Sequence, residues 1–113
     1  MQILDASTYP DHSVDRFDSA GFYVGPGGTS LHAVVARLEP GGKIGRHPAV
    51  VAQALVPIVG KGLVAGADGV SHEISPGQVA LWHQGEEHET STPSGLIALL
   101  LEGDLSEAFL ARR

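Results

Sequence analysis

The stretch PGGKIGRHPAVVAQALVPIVGKG, residues 40–62, decides the fold. It opens on the turn signal Pro40-Gly41-Gly42 and closes on Gly60-Lys61-Gly62. Between them lie short runs rich in Val, Ile, Leu and Ala, the pattern of strands bounded by turn chemistry. One histidine and one amide, His47 and Gln53, stand six positions apart inside it. A second stretch, PGQVALWHQGEEHETST at 76–92, repeats the design, with His83 and His88 five apart on either side of a QGEE turn. If that turn closes a tight hairpin, His83 and His88 face each other across it, about 5 Å apart at Cβ.

Outward from these stretches the punctuation stays regular, with further turn signals at GADG (66–69) and TPSG (92–95). Short strands at such spacing imply an antiparallel all-β sandwich or barrel with little room for helix. Residues 5–30 carry Tyr9-Pro10, Gly21, Gly25, Pro26, Gly27 and Gly28, which predicts an irregular lead-in arm with at most one short strand near Phe22–Val24. At the other end GDLSEAFLARR sets Asp104 three residues before Glu107, a capping box, with Arg112 and Arg113 suited to a last helical turn. The expected organisation is an arm over 1–30, a barrel over 31–102 and a short helix over 103–113.

A chain of 113 residues is a single domain able to bury its own core. Its composition, 42% hydrophobic and 18% charged with 15 glycines and 7 prolines, is that of a compact, turn-rich protein. The formal charge of −6 repels nucleic acid, so DNA and RNA are not expected partners. The absence of cysteine removes disulfides, thiolate metal sites and cysteine nucleophiles, leaving nitrogen and oxygen donors. The first residues lack the basic start and apolar run of a secretory signal, and no later stretch has the length of a membrane span; a soluble cytoplasmic protein is expected. The glycine pairs at 27–28 and 41–42 do not open helices and are turns, not phosphate loops. No Ser-His-Asp arrangement stands out.

In LHAVVARLE, residues 31–39, outward Arg37 and Glu39 send His32, Val34, Ala36 and Leu38 to the inner face. Leu31, Ala33 and Val35 share the outer face with Arg37, and LIALLL (96–101) is apolar on both faces. Strands apolar on both sides imply a second layer, and a homodimer is expected to supply it; the arm or the terminal helix is the alternative cover.

The framing now resembles the two motifs of the cupin superfamily. The first motif runs G, five residues, H-x-H, three or four residues, E, six residues, G; Gly41, His47 and Gly60 match it, with Ala49 at the second histidine and Gln53 at the glutamate. The second runs G, five residues, P-x-G, two residues, H, three residues, N; Gly77, Gly85 and His88 match, with His83 at the proline and Thr92 at the asparagine. The resemblance covers roughly residues 31–102 and implies a double-stranded β-helix, the cupin jelly-roll barrel, with ligands projecting into its mouth.

From the same resemblance the candidate metal ligands are His47, Gln53 and His88, with His83 able to stand in for the imidazole missing at Ala49. The ion would be divalent zinc, iron, nickel or manganese. An amide at position 53 offers an oxygen without charge. The alternative is a metal-free cavity in which His47, His88 and His32 are hydrogen-bonded pocket histidines partnered by Gln53. Trp82, beside the site, is a candidate pocket wall for a flat ligand or a piece of core. Among Glu86, Glu87 and Glu89, one could orient an imidazole or act as a base, and Glu89 should face away from His88. The expected function is binding of a small organic ligand in the barrel mouth, directly or through a metal. A metal-dependent enzyme of dioxygenase or isomerase type and a metal-free binding or sensory module are the two alternatives to that reading.

Overall fold

A computed structural model describes residues 11–27 and 32–103. Nine strands follow in chain order: β1 (His12–Ser13), β2 (Ala20–Gly27), β3 (His32–Pro48), β4 (Gln53–Gly60), β5 (Gly62–Ala65), β6 (Ser71–Ile74), β7 (Ala80–Trp82), β8 (Glu87–Ser91) and β9 (Leu96–Glu102). A 3₁₀ turn, Arg16–Asp18, links β1 to β2. Every strand pairing is antiparallel, in the order β6-β5-β8-β3-β9-β4-β7, with β2 against β3 and β1 against β2. The result is a nearly closed jelly-roll barrel: all-β as the strand and turn pattern predicts, and of the type the cupin resemblance implies.

Strand β3 is the frame. Its first half, His32–Leu38, pairs with β9, and its second half, Lys43–Pro48, pairs with β8. The strand runs for 17 residues straight through Pro40-Gly41-Gly42, which the sequence reading takes as a turn. These residues form a corner at which one strand passes from one sheet into the other. The ladder survives the corner: Gly41 N–H donates to the Thr92 carbonyl at 2.9 Å, and Thr92 N–H donates to the Gly42 carbonyl at 3.1 Å. Gly41 sits at φ +80°, where glycine carries no steric penalty.

The core lies between the two sheets. Alternation along β9 sends Leu96, Ala98 and Leu100 inward, opposite Leu38, Ala36 and Val34 of β3. Leu55 of β4, Val64 of β5, Ile74 of β6 and Trp82 of β7 complete the packing.

The lead-in region departs from expectation. Residues 20–27 form a full strand against β3, and Phe22 is buried in the core at 6% exposure. Glycines and a proline are tolerated because β2 is irregular, with register shifts between Ala20 and Phe22 and between Val24 and Gly27. The helix expected over 103–113 falls on residues outside the described set, apart from Gly103. Among the described residues no helix is long and apolar enough to cross a membrane.

Gly60, the closing glycine of the first motif, sits at φ +89°, and a Cβ there would collide with the Gly95 carbonyl. Gly41 has φ +80° but open space around an added Cβ. Gly41→Ala therefore costs only the backbone term, about 1–3 kcal/mol, while Gly60→Ala adds a steric clash. Urea titration should rank Gly60→Ala clearly below Gly41→Ala in unfolding free energy; equal midpoints would contradict the structure.

Candidate functional site

Two rows of side chains meet at the mouth of the barrel. One row runs across four strands in register: His32 of β3 pairs with Glu102 of β9, Glu102 with Gln53 of β4, and Gln53 with Trp82 of β7. The other belongs to the opposite sheet, where His47 of β3 pairs with His88 of β8. Together they line a cavity of about 480 Å³ whose deeper walls include Val34, Leu55 and Leu100.

A β-bulge brings His47 inside. Ile44 opposes Thr90, yet His47 opposes His88, so three steps on β3 match two on β8. Simple alternation from buried Ile44 would turn Arg46 inward and His47 outward. With the extra residue, Arg46 is exposed and its guanidinium donates to the carbonyls of Gly66 and Ala67 at 3.1 and 3.2 Å.

Both imidazoles of the pair are oriented by main-chain carbonyls two residues back. His47 Nδ1 donates to the Gly45 carbonyl at 2.7 Å, and His88 Nδ1 to the Glu86 carbonyl at 3.1 Å. A carbonyl can only accept, so each Nδ1 carries the hydrogen, and in the neutral ring Nε2 keeps its lone pair. Among the described residues no hydrogen-bond partner takes either Nε2. The one fully buried side-chain polar atom without a partner there is Arg37 Nε, so the two Nε2 atoms are accessible from the cavity. The ring centroids of His47 and His88 are 4.4 Å apart.

Aromatic groups bracket the pair. Phe17 stacks on His47 with centroids 3.6 Å apart and planes 9° from parallel. Phe17 has φ +60°, an unusual conformation for a bulky residue, and the turn that carries it is pressed onto β3 at Gly45. A Cβ at Gly45 would run into the Phe17 carbonyl, and Gly45 N–H donates to Ser19 Oγ at 2.8 Å. On the other side Trp82 lies 4.7 Å from His88, centroid to centroid, with its Nε1 donating to the Ala65 carbonyl at 3.2 Å. Trp82 is both core and cavity wall, as both sequence readings of it allow.

Glu102 is the residue that the sequence reading misses. Gln53 Nε2 donates to its Oε1 at 3.3 Å, and His32 Nδ1 to its Oε2 at 3.2 Å. The signal was present: Glu102 shares the even parity of inward Leu96, Ala98 and Leu100, so it ends an apolar face with a carboxylate. His32, of inward parity as expected, lies exposed at the rim.

The expected His83–His88 hairpin is corrected. Strand β7 pairs with β4, while β8 pairs with β3 and β5, so His88 faces His47 and not His83. His83 is exposed and does not line the cavity. The acidic turn has a different task. Glu86 holds His88 through its main-chain carbonyl, and its carboxylate accepts from the N–H groups of His83 at 3.0 Å and Ala67 at 3.2 Å. Ala49, at the position of the missing second histidine, is buried and bonded through N–H to the Glu86 carbonyl at 2.9 Å.

For a metal ion the residues fit in part. Two Nε2 lone pairs and the Gln53 amide oxygen are suitable donors, and Ala49 offers none. Among the described residues no three His, Cys, Asp or Glu side chains form a group able to hold one ion.

No family model matches the chain, and no curated protein matches it. Solved structures do. A protein described as a predicted oxalate decarboxylase from Thermotoga maritima superimposes with a TM-score of 0.73 at 17% identity, over 88% of this chain and 96% of that one. The polyketide cyclase RemF from Streptomyces resistomycificus gives 0.75 at 15% identity, over 90% and 78%. An RmlC-like cupin from Shewanella frigidimarina gives 0.72 at 16% identity, over 96% of each chain. The class is thereby established: the chain has the cupin fold.

Burial lowers the His88 pKa from its ordinary 6.5, and nearby His47 pushes the same way; the Glu86 carbonyl and the carboxylates of Glu86 and Glu102 oppose them. A histidine with a lowered folded-state pKa binds fewer protons folded than unfolded, so its contribution is complete above pH 6.5 and is lost as pH falls through its folded value. Stability by urea titration should therefore fall on going from pH 7.5 to 5, and His88→Gln should flatten that slope. An unchanged slope in the variant would count against a buried neutral imidazole.

Proposed function

We propose that the chain binds a small organic molecule in the barrel mouth, between the imidazole pair and the His32–Glu102–Gln53–Trp82 row. The observation supporting it is the meeting of polar groups from two sheets around a cavity of about 480 Å³ with apolar walls. Concave, largely apolar sites with a few converging polar groups are the usual form of small-molecule pockets. Trp82, the single tryptophan, sits in the wall and reports occupancy through its fluorescence. A screen of hydroxylated aromatic and aliphatic molecules should find compounds that quench Trp82 saturably, with the effect weakened at least tenfold by His47→Ala. Quenching indifferent to His47 would refute the location.

A second reading is favoured by the two Nε2 atoms, which have no hydrogen-bond partner among the described residues: a divalent zinc, iron, nickel or manganese ion held by His47, His88 and Gln53. Such an ion would supply Lewis-acid or redox chemistry at open coordination positions, and the chain would then be a metal-dependent enzyme of dioxygenase or isomerase type. The oxalate decarboxylase and cyclase descriptions of two structural neighbours are in keeping with an enzyme, while a metal-free sensory module is equally compatible with the fold. Elemental analysis of untagged protein decides: stoichiometric metal lost in His47→Ala supports the ion, and protein free of metal, with Ala49→His plus Gln53→Glu gaining it, supports the binder.

We also propose that the barrel pairs with a second copy through the outer face of its larger sheet. Val35, Leu99 and Val56 lie side by side in register there, and Val79, Leu81, Ile58 and Val59 are exposed. Arg37, on the same face, pairs with Asp11 at 3.4 Å. Sedimentation should show a dimer that Leu99→Lys converts to monomer; a monomer at all concentrations would exclude this surface. A cytoplasmic location is part of the same proposal.

A further inference from the structure

Among the described residues, the polar side chains that face one another across the cavity, His47, His88, Gln53 and Glu102, present hydrogen-bond acceptors. His47 and His88 each spend their Nδ1 hydrogen on a main-chain carbonyl, which leaves Nε2 to accept. Gln53 spends an amide hydrogen on Glu102, which leaves its carbonyl oxygen to accept. Glu102 receives one donor on each oxygen and retains lone pairs on both.

The charge points the same way. Among the described residues, three lining residues other than histidine carry acidic or basic side chains, namely Asp15, Arg16 and Glu102. Asp15 and Arg16 are adjacent, exposed and opposite in sign, so they offset each other at the rim. Glu102 is left as the acidic group facing the site, with His32 Nδ1 on one oxygen at 3.2 Å and the Gln53 amide on the other at 3.3 Å.

We propose that the mouth selects a small molecule carrying a protonated amine at one end and a hydroxyl at the other, with Glu102 receiving the ammonium and His47 and His88 receiving the hydroxyl. The inference rests on the reading of the cavity as an organic-ligand site. The row through His32, Glu102, Gln53 and Trp82 places the carboxylate on one sheet, and the imidazole pair stands on the other, so the two ends of the ligand are read by different sheets. A ligand with a carboxylate in place of the amine would meet acceptors on both sides and an anion at Glu102.

Three probes with one phenol ring and different tails test this on the full chain after chelator treatment: tyramine, 4-ethylphenol and 4-hydroxyphenylpropionate, read by Trp82 fluorescence at neutral pH. Tyramine should bind about tenfold or more tighter than 4-ethylphenol, the gain expected of a charge-assisted contact, and the propionate should bind weakest. Glu102→Gln should bring tyramine down to the level of 4-ethylphenol. Equal binding of all three, or tighter binding of the propionate, overturns the amine selection while leaving the cavity a ligand site. No saturable quenching by any probe at millimolar concentration overturns both. The ranking on the unaltered protein stands even where Glu102→Gln unfolds, since it needs no variant.

Discussion

Strand β3 belongs to both sheets, and the rest of the molecule is arranged around that constraint. A strand of 17 residues cannot pair with β9 and then β8 without a corner, and Pro40-Gly41-Gly42 makes one in which the backbone remains hydrogen-bonded. Beyond the corner, a single extra residue between Ile44 and His47 changes the inward parity. Because side chains alternate with period two, that one residue decides whether arginine or histidine enters the cavity. Gly45 lies in the irregular segment and also allows the Phe17 turn to press against the strand, so the bulge shapes both the floor and the cover of the site.

The polar groups of the mouth are placed where burial is least costly and most useful. Deep in the barrel the inner rows are wholly apolar: Val34, Leu100 and Leu55, then Ala36 and Ala98. At the rim the same strands end in His32, Glu102 and Gln53, which satisfy one another in sequence across the sheet. An isolated carboxylate facing apolar walls would be strongly disfavoured, whereas one receiving donors on both oxygens keeps its charge at modest cost. The imidazole pair follows a different rule: each ring is tied to a carbonyl two residues earlier on its own chain. Its orientation therefore depends on local backbone geometry more than on neighbouring side chains.

Compared with the sequence reading, the framing glycines located both motif segments, and His47 and His88 are in contact as their positions in those motifs imply. Gln53 and Trp82 line the same cavity. What failed were inferences about which strands pair. His83 and His88 flank a four-residue turn, which reads as a hairpin, but the two flanking strands go to opposite sheets. Residues 5–30 read as an irregular arm with at most a short strand near Phe22–Val24 because glycine and proline signal turns locally, yet the edge of β3 offers enough hydrogen bonds to hold an irregular strand over 20–27. Glu102 lies outside both motifs, although the parity of LIALLLE puts it on the inward face.

By itself the sequence determined the strand-and-turn pattern, the inward parity of the strand segments and the few residue types capable of chemistry, since these follow from spacing, side-chain volume and donor inventory. Only the tertiary structure decided that a bulge turns His47 inward in place of Arg46, that Glu102 joins Gln53 and His32, and that His83 stays outside. Those outcomes depend on register between strands far apart in the chain and on one inserted residue, and no local property of the residues involved encodes either.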